Sequence, residues 1–143
     1  MNWRLLILII YMNDFIIISA MNHILFYIAS LLLFIWGIVH LFPTKSVVRG
    51  FGNITRDNKR IITMEWIIEG VTLIFTGLLI GVLTFVNPDH KVSSFVFILI
   101  VAFLLILALI SFFTGFRVKF LPYRLCPFIF TTAAILILIG SIQ

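Results

Sequence analysis

Residues 61–86 read IITMEWIIEGVTLIFTGLLIGVLTFV, and this stretch decides the fold. It is apolar almost throughout and exceeds the roughly 20 residues a helix needs to cross a bilayer core of ~30 Å. Lipid offers no partner to backbone N–H and C=O groups, so such a segment must satisfy them internally, as a helix. The pattern stops at Asn87-Pro88-Asp89, where proline and its polar neighbours cannot continue it. Three more stretches of the same character lie on either side, at about 22–42, 92–116 and 123–142. The first of them stops at Pro43-Thr44, and Pro122 and Pro127 flank or open the last, where a missing backbone donor is tolerated. The expected fold is all-α: an integral membrane four-helix bundle, with a single four-span domain over 22–143 and a hydrophobic extension over 1–21.

Composition supports this and closes other routes. Hydrophobic residues make up 63% of the 143 and charged ones only 10%, too few to cover the surface of a soluble domain. The net charge of +5 sits in short loops between apolar runs. That placement suits anionic lipid headgroups and membrane topology, and no basic, aromatic-interleaved domain suggests nucleic acid. The lone cysteine, Cys126, excludes an internal disulfide and a CxxC redox pair.

The extension is less regular. Leu5 to Met12 and Phe15 to Ala20 are apolar, with Asn13 and Asp14 between them. Joined to the next span, they would give a helix much longer than the membrane is thick. The favoured expectation is a separate interfacial helix or a short membrane helix. Two alternatives stay open: a signal-like segment with Arg4 as its basic region and Ser19-Ala20 as its cleavage site, and a start at Met21.

Orientation follows from the bases. Lys45, Arg49, Arg56, Lys59 and Arg60 separate the first two spans, and Arg117, Lys119 and Arg124 the last two, whereas only Lys91 lies between the middle pair. The positive-inside rule places loops 43–60 and 117–122 in the cytoplasm, with a bacterial inner (cell) membrane as the expected location. Within the first loop, Thr44 could cap a short amphipathic helix carrying Val47, Val48 and Phe51 opposite Lys45 and Arg49, ending at Gly50-Phe51-Gly52. The sequon Asn53-Ile54-Thr55 in that loop carries no glycosylation signal on the cytoplasmic side.

Ionisable groups within spans are costly and usually have a task. Here they are His40, Glu65 and Glu69. Glu65 and Glu69 stand one turn apart on the same helical face, continued by Thr72 and Thr76. Antiparallel spans bring His40 to a similar depth, and Trp36, one turn from it, could wall it. The candidate ligand- or proton-binding site is therefore His40, Glu65, Glu69, Thr72 and Trp36, in the cytoplasmic half. Two carboxylates beside a histidine could share a proton, which suits proton-coupled transport or a quinone-type site. No metal site is expected, since no HExxH or comparable spacing is present. Cys126 and Ser111 show no paired base for a nucleophile. Gly77 and Gly81 have the spacing that permits close helix approach, within the bundle or across a homodimer.

Gly37-Ile38-Val39-His40-Leu41-Phe42-Pro43, followed by Val47-Val48 and Gly50-Phe51, resembles the DoxX-like small membrane proteins. Their first helix often ends in a Gly-x-x-His-Leu pattern, and their second often carries an acidic residue before apolar and glycine positions, as in Glu65-Trp66-Ile67-Ile68-Glu69-Gly70. The resemblance covers about Leu31 to Gly81 and implies a four-helix bundle, with His40, Glu65 and Glu69 as the residues of interest. It also implies a role as a quinone- or lipid-associated redox subunit, although the lack of a cysteine pair departs from thiol-based relatives. The leading expectation is thus a lipid-embedded protein whose His/Glu pocket takes a quinone, a lipid or a proton. The alternatives are a small dimeric proton-coupled transporter or channel, and a non-catalytic assembly factor of a membrane complex. Nothing in the sequence selects a cofactor or a catalysed reaction.

Overall fold

Glycine and proline are missing from the first 36 residues, so nothing interrupts a helix there. The computed structural model, which describes residues 3–118 and 121–142, accordingly begins with one unbroken helix, α1, Trp3–Leu41. The extension does not form the separate interfacial or short membrane helix that was expected. Asn13 and Asp14 are carried within α1, whose 39 residues span ~58 Å at the helical rise. Within it, Ala20–Leu41 is long and apolar enough to cross a membrane.

The helix ends at a proline turn, and the short α2, Thr44–Gly50, follows. Thr44 does not cap it; Pro43 holds the cap position, and the Thr44 hydroxyl donates back to the carbonyl of Leu41, a terminal acceptor that α1 leaves open. The expected amphipathicity holds for Val47, buried opposite exposed Lys45 and Arg49, but Phe51, expected on the apolar side, lies beyond the end of α2 and is exposed. Gly52 turns the chain with φ 71°.

The second long helix, α3, runs Arg56–Val86, beginning before the apolar stretch does. Thr55 explains the early start: its side chain accepts the backbone N–H of Asn58 at 3.2 Å and caps the helix. Arg56, Lys59 and Arg60 thus ride on the first turns of α3, ahead of its apolar stretch. Helix α4, Lys91–Gly115, is capped by His90, whose ring accepts from the Val92 N–H. Helix α5, Leu121–Ser141, contains Pro127 rather than starting at it. Proline there contributes no N–H to the helical ladder. Lys119, one of the bases used for orientation, lies outside the described residues.

The protein is all-α and an integral membrane protein: four of its described helices are long and apolar enough to cross a bilayer. Helix α1 packs between α3 and α5, and α5 also packs on α4, whereas α3 and α4, though consecutive, scarcely touch. Leu33, Leu73, Phe97, Leu104, Phe130 and Ile137 form the centre, at helical spacing on the facing surfaces. Outward faces carry exposed Ile, Leu and Phe from end to end, as a lipid solvent allows.

The α1–α3 seam sets the site. A Cβ on Gly77 would lie 2.7 Å from the Phe34 nitrogen and the Ser30 carbonyl, and one on Gly37 2.8 Å from the Gly70 carbonyl. Only glycine lets the two backbones come this close, and Ser30 Oγ donates to the Gly77 carbonyl at 2.7 Å across the contact. A Cβ on Gly81 would meet Ser30 Oγ as well. Gly77 and Gly81 are therefore occupied by α1 of the same chain, and a homodimer through them would have to displace that helix. The register is antiparallel, so each step up α1 from Ser30 to Gly37 to His40 meets a step down α3 from Gly77 to Gly70 to Trp66.

Candidate functional site

The register ends by bringing the last turn of α1 against the basic end of α3. His40 is buried, with its side chain 1% exposed, and its ring lies flat on Trp66 with centroids 4.0 Å apart and planes inclined 16°. The Trp66 indole N–H donates to the His40 backbone carbonyl at 2.7 Å, satisfying another acceptor that the end of α1 leaves open. Tyr123 of α5 packs edge-on against Trp66 at 5.3 Å. Backbone and ring of His40 are both held by one tryptophan.

The histidine nitrogens are not held. His40 Nε2 faces Glu69 Oε2 at 3.4 Å, and neither Nε2 nor Nδ1 has a hydrogen-bond partner. A formed charge-assisted bond would be about 2.7–2.9 Å. Glu69 is half-buried, and Cys126 of α5 is buried on the other flank. One ligand-type atom from each of His40, Glu69 and Cys126 falls within 4.8 Å of the other two. The Trp36 indole N–H stands beside the Cys126 thiol without completing a hydrogen bond to it, and is itself buried.

The expected site residues divide accordingly. His40, Glu69 and Trp36 are brought together. Glu65 is exposed and enters none of the ion pairs among the described residues; Arg60, a possible partner for it, pairs with Asp57 at 3.6 Å. Thr72 is half-buried one turn beyond Glu69, and its carbonyl takes the Thr76 hydroxyl at 2.8 Å. Trp36 walls Cys126, and the wall against His40 is Trp66 instead. Trp66 and Cys126 were missed. Trp66 sits three residues before Glu69 and so shares its side of α3, which the spacing alone could have shown. Cys126 lies as close to its basic loop as His40 lies to its own, so equal depth was the available signal.

At the opposite end, Asn22 is buried with Nδ2 unpartnered, and His23 Nε2 stands 3.9 Å from Asp89 Oδ2 with both side chains partly exposed. A cavity of about 210 Å³ lies there, lined by Phe26, Asp89, Ser94 and Phe97 among others. No protein family model, curated protein or solved structure matches the chain.

Proposed function

We propose that this membrane protein binds a ligand or a proton at a His40–Glu69 centre in the cytoplasmic half of a bacterial inner membrane. It serves there as a subunit of a quinone- or lipid-associated redox system, as the resemblance to DoxX-like proteins implies. The observation that carries the reading is a fully buried imidazole with both nitrogens unpartnered, facing a half-exposed carboxylate in a membrane-crossing helix. An unsatisfied buried polar group costs roughly 1–3 kcal/mol, and a group at bilayer depth is normally satisfied or used. A quinone carbonyl takes a hydrogen-bond donor and, on reduction, protons; an imidazole and a carboxyl group supply both.

Binding at one end fits better than conduction across the membrane. Beyond Glu69 the hydroxyls of Thr76 and Thr84 are turned back onto the carbonyls of Thr72 and Ile80. The interior between the two ends is apolar, with Leu33, Leu73 and Leu104 fully buried.

The test uses the tryptophan that lies on the histidine. Titrating a short-tailed quinone into the protein in nanodiscs is expected to quench Trp fluorescence saturably. Glu69→Gln is expected to weaken that binding by about 10-fold or more, the loss of one charge-assisted hydrogen bond. Asp89→Asn at the far end is expected to leave it unchanged. Quenching that never saturates, or is identical in all three proteins, would end the quinone reading.

A further inference from the structure

We propose that His40, Glu69 and Cys126 are ligands of a divalent zinc-class metal ion, which deepens the reading of His40–Glu69 as a binding centre and rests on it. The donor set is one imidazole nitrogen, one carboxylate oxygen and one sulfur, drawn from α1, α3 and α5. Borderline ions of the zinc type accept this mixture, and three protein ligands leave a fourth position for water or another ligand.

Geometry points the same way. Two donors at about 2.0–2.1 Å from a tetrahedral ion lie ~3.4 Å apart. His40 Nε2 and Glu69 Oε2 stand 3.4 Å apart, too far for a good hydrogen bond and at the edge length of such a tetrahedron. One donor atom from each of the three residues lies within 4.8 Å of the other two, so ~1 Å of side-chain movement closes the set. Glu69, the least buried of the three, has the freedom to make it.

A metal also resolves what the protein leaves open. His40 Nε2 gains a partner. Coordination converts the Cys126 thiol to a thiolate, and its proton leaves to the medium as the sulfur–metal bond forms. The buried, unpartnered indole N–H of Trp36 stands beside that sulfur and would donate to it, the kind of outer support that orients a ligand. The charges of a divalent ion, one thiolate and one carboxylate cancel. That suits an apolar surrounding, where a lone Glu69 carboxylate is costly.

No short motif announces the site, because its ligands come from three helices. His40 and Cys126 meet only once α5 packs on α1.

Cobalt is the probe. Co²⁺ added to the metal-free protein in nanodiscs is expected to bind at one equivalent, with a near-ultraviolet sulfur-to-cobalt charge-transfer band and visible bands of tetrahedral intensity. Cys126→Ser is expected to lose the charge-transfer band and to weaken binding by roughly 100-fold, at least what supporting residues alone contribute. His40→Phe, which keeps the stack on Trp66 and therefore the fold, is expected to abolish the spectrum. Asp89→Asn is expected to bind as the natural protein does. Weak binding of several ions, equal in all variants, or a charge-transfer band that survives Cys126→Ser, would overturn the proposal. Absence of cobalt binding together with Glu69-dependent quinone quenching sinks the metal and leaves the binding centre standing. Cobalt binding with unsaturable quenching sinks the quinone reading instead.

Discussion

Each end of the molecule is closed by a stacked ring pair between α1 and a neighbour, and the two pairs are nearly superimposable in geometry. Phe26 lies on Phe97 with centroids 4.3 Å apart and planes inclined 17°; His40 lies on Trp66 at 4.0 Å and 16°. At one end the solution is wholly apolar. At the other it holds an imidazole whose two nitrogens make no hydrogen bond, with Glu69 3.4 Å from one of them. The Phe pair shows that packing α1 does not require a heteroatom, since a flat ring of that size suffices. What histidine adds at position 40 is two buried nitrogens without hydrogen bonds, at some expense in stability. The His–carboxylate pairs differ in degree: the His23 and Asp89 side chains are partly exposed, 3.9 Å apart, and only Nε2 of His23 is buried without a hydrogen bond, while His40 is sealed with both nitrogens so.

The largest expected effect breaks the apolar stack. Phe97 is 1% exposed, so Phe97→Ala leaves a large void beside Phe26 and is expected to cost about 3–5 kcal/mol in equilibrium unfolding in bicelles. A loss below ~1 kcal/mol would show that this end is not packed as described. The second effect has the opposite sign. His40→Phe retains the ring on Trp66 and removes two unsatisfied nitrogens, so the metal-free variant is expected to gain about 1–2 kcal/mol. The matching change at the other end, His23→Phe, removes a single buried unpartnered nitrogen from a partly exposed side chain and is expected to gain less, about 0.5 kcal/mol. A destabilised His40→Phe would mean that the histidine nitrogens are satisfied in the membrane after all.

How far the sequence carried depends on which physical term decided each feature. Spans were legible because hydropathy and length decide them: the expected 92–116 and the observed Lys91–Gly115 differ by one residue at each end. The start of α3 was not, because Thr55 capping decides it and hydropathy is blind to a cap. The extension continues α1, where membrane thickness argued for a separate piece, because helices break at glycine and proline, which are missing there. In the site, His40 and Glu69 were visible as ionisable residues inside apolar runs. Glu65 carried the same signal but lies nearer the helix start and reaches the exterior. Trp66 and Cys126 were invisible by type, since an aromatic and a lone thiol in an apolar run look like core. Their roles come from tertiary register, set by the glycine seam at Gly37, Gly70 and Gly77.

The smallest effect separates the two jobs of Trp66. Its ring supports His40 by stacking, and its indole N–H closes the His40 carbonyl at 2.7 Å. Trp66→Phe keeps an aromatic face and removes only the donor, at the end of a helix where the carbonyl has no intrahelical partner. The expected loss is about 1 kcal/mol, the usual net worth of such a bond. The ion-binding test discriminates further, because a ligand held by a released helix end is less well aimed. Co²⁺ affinity is expected to fall by about 10-fold in Trp66→Phe, as for loss of an outer support, while the charge-transfer band persists because all three donors remain. Unchanged affinity alongside the stability loss would mean that α5, through Cys126 and Tyr123, holds the centre without help from the end of α1. The contrast with the Phe26–Phe97 end would then reduce to polarity alone, with no share for the backbone bond.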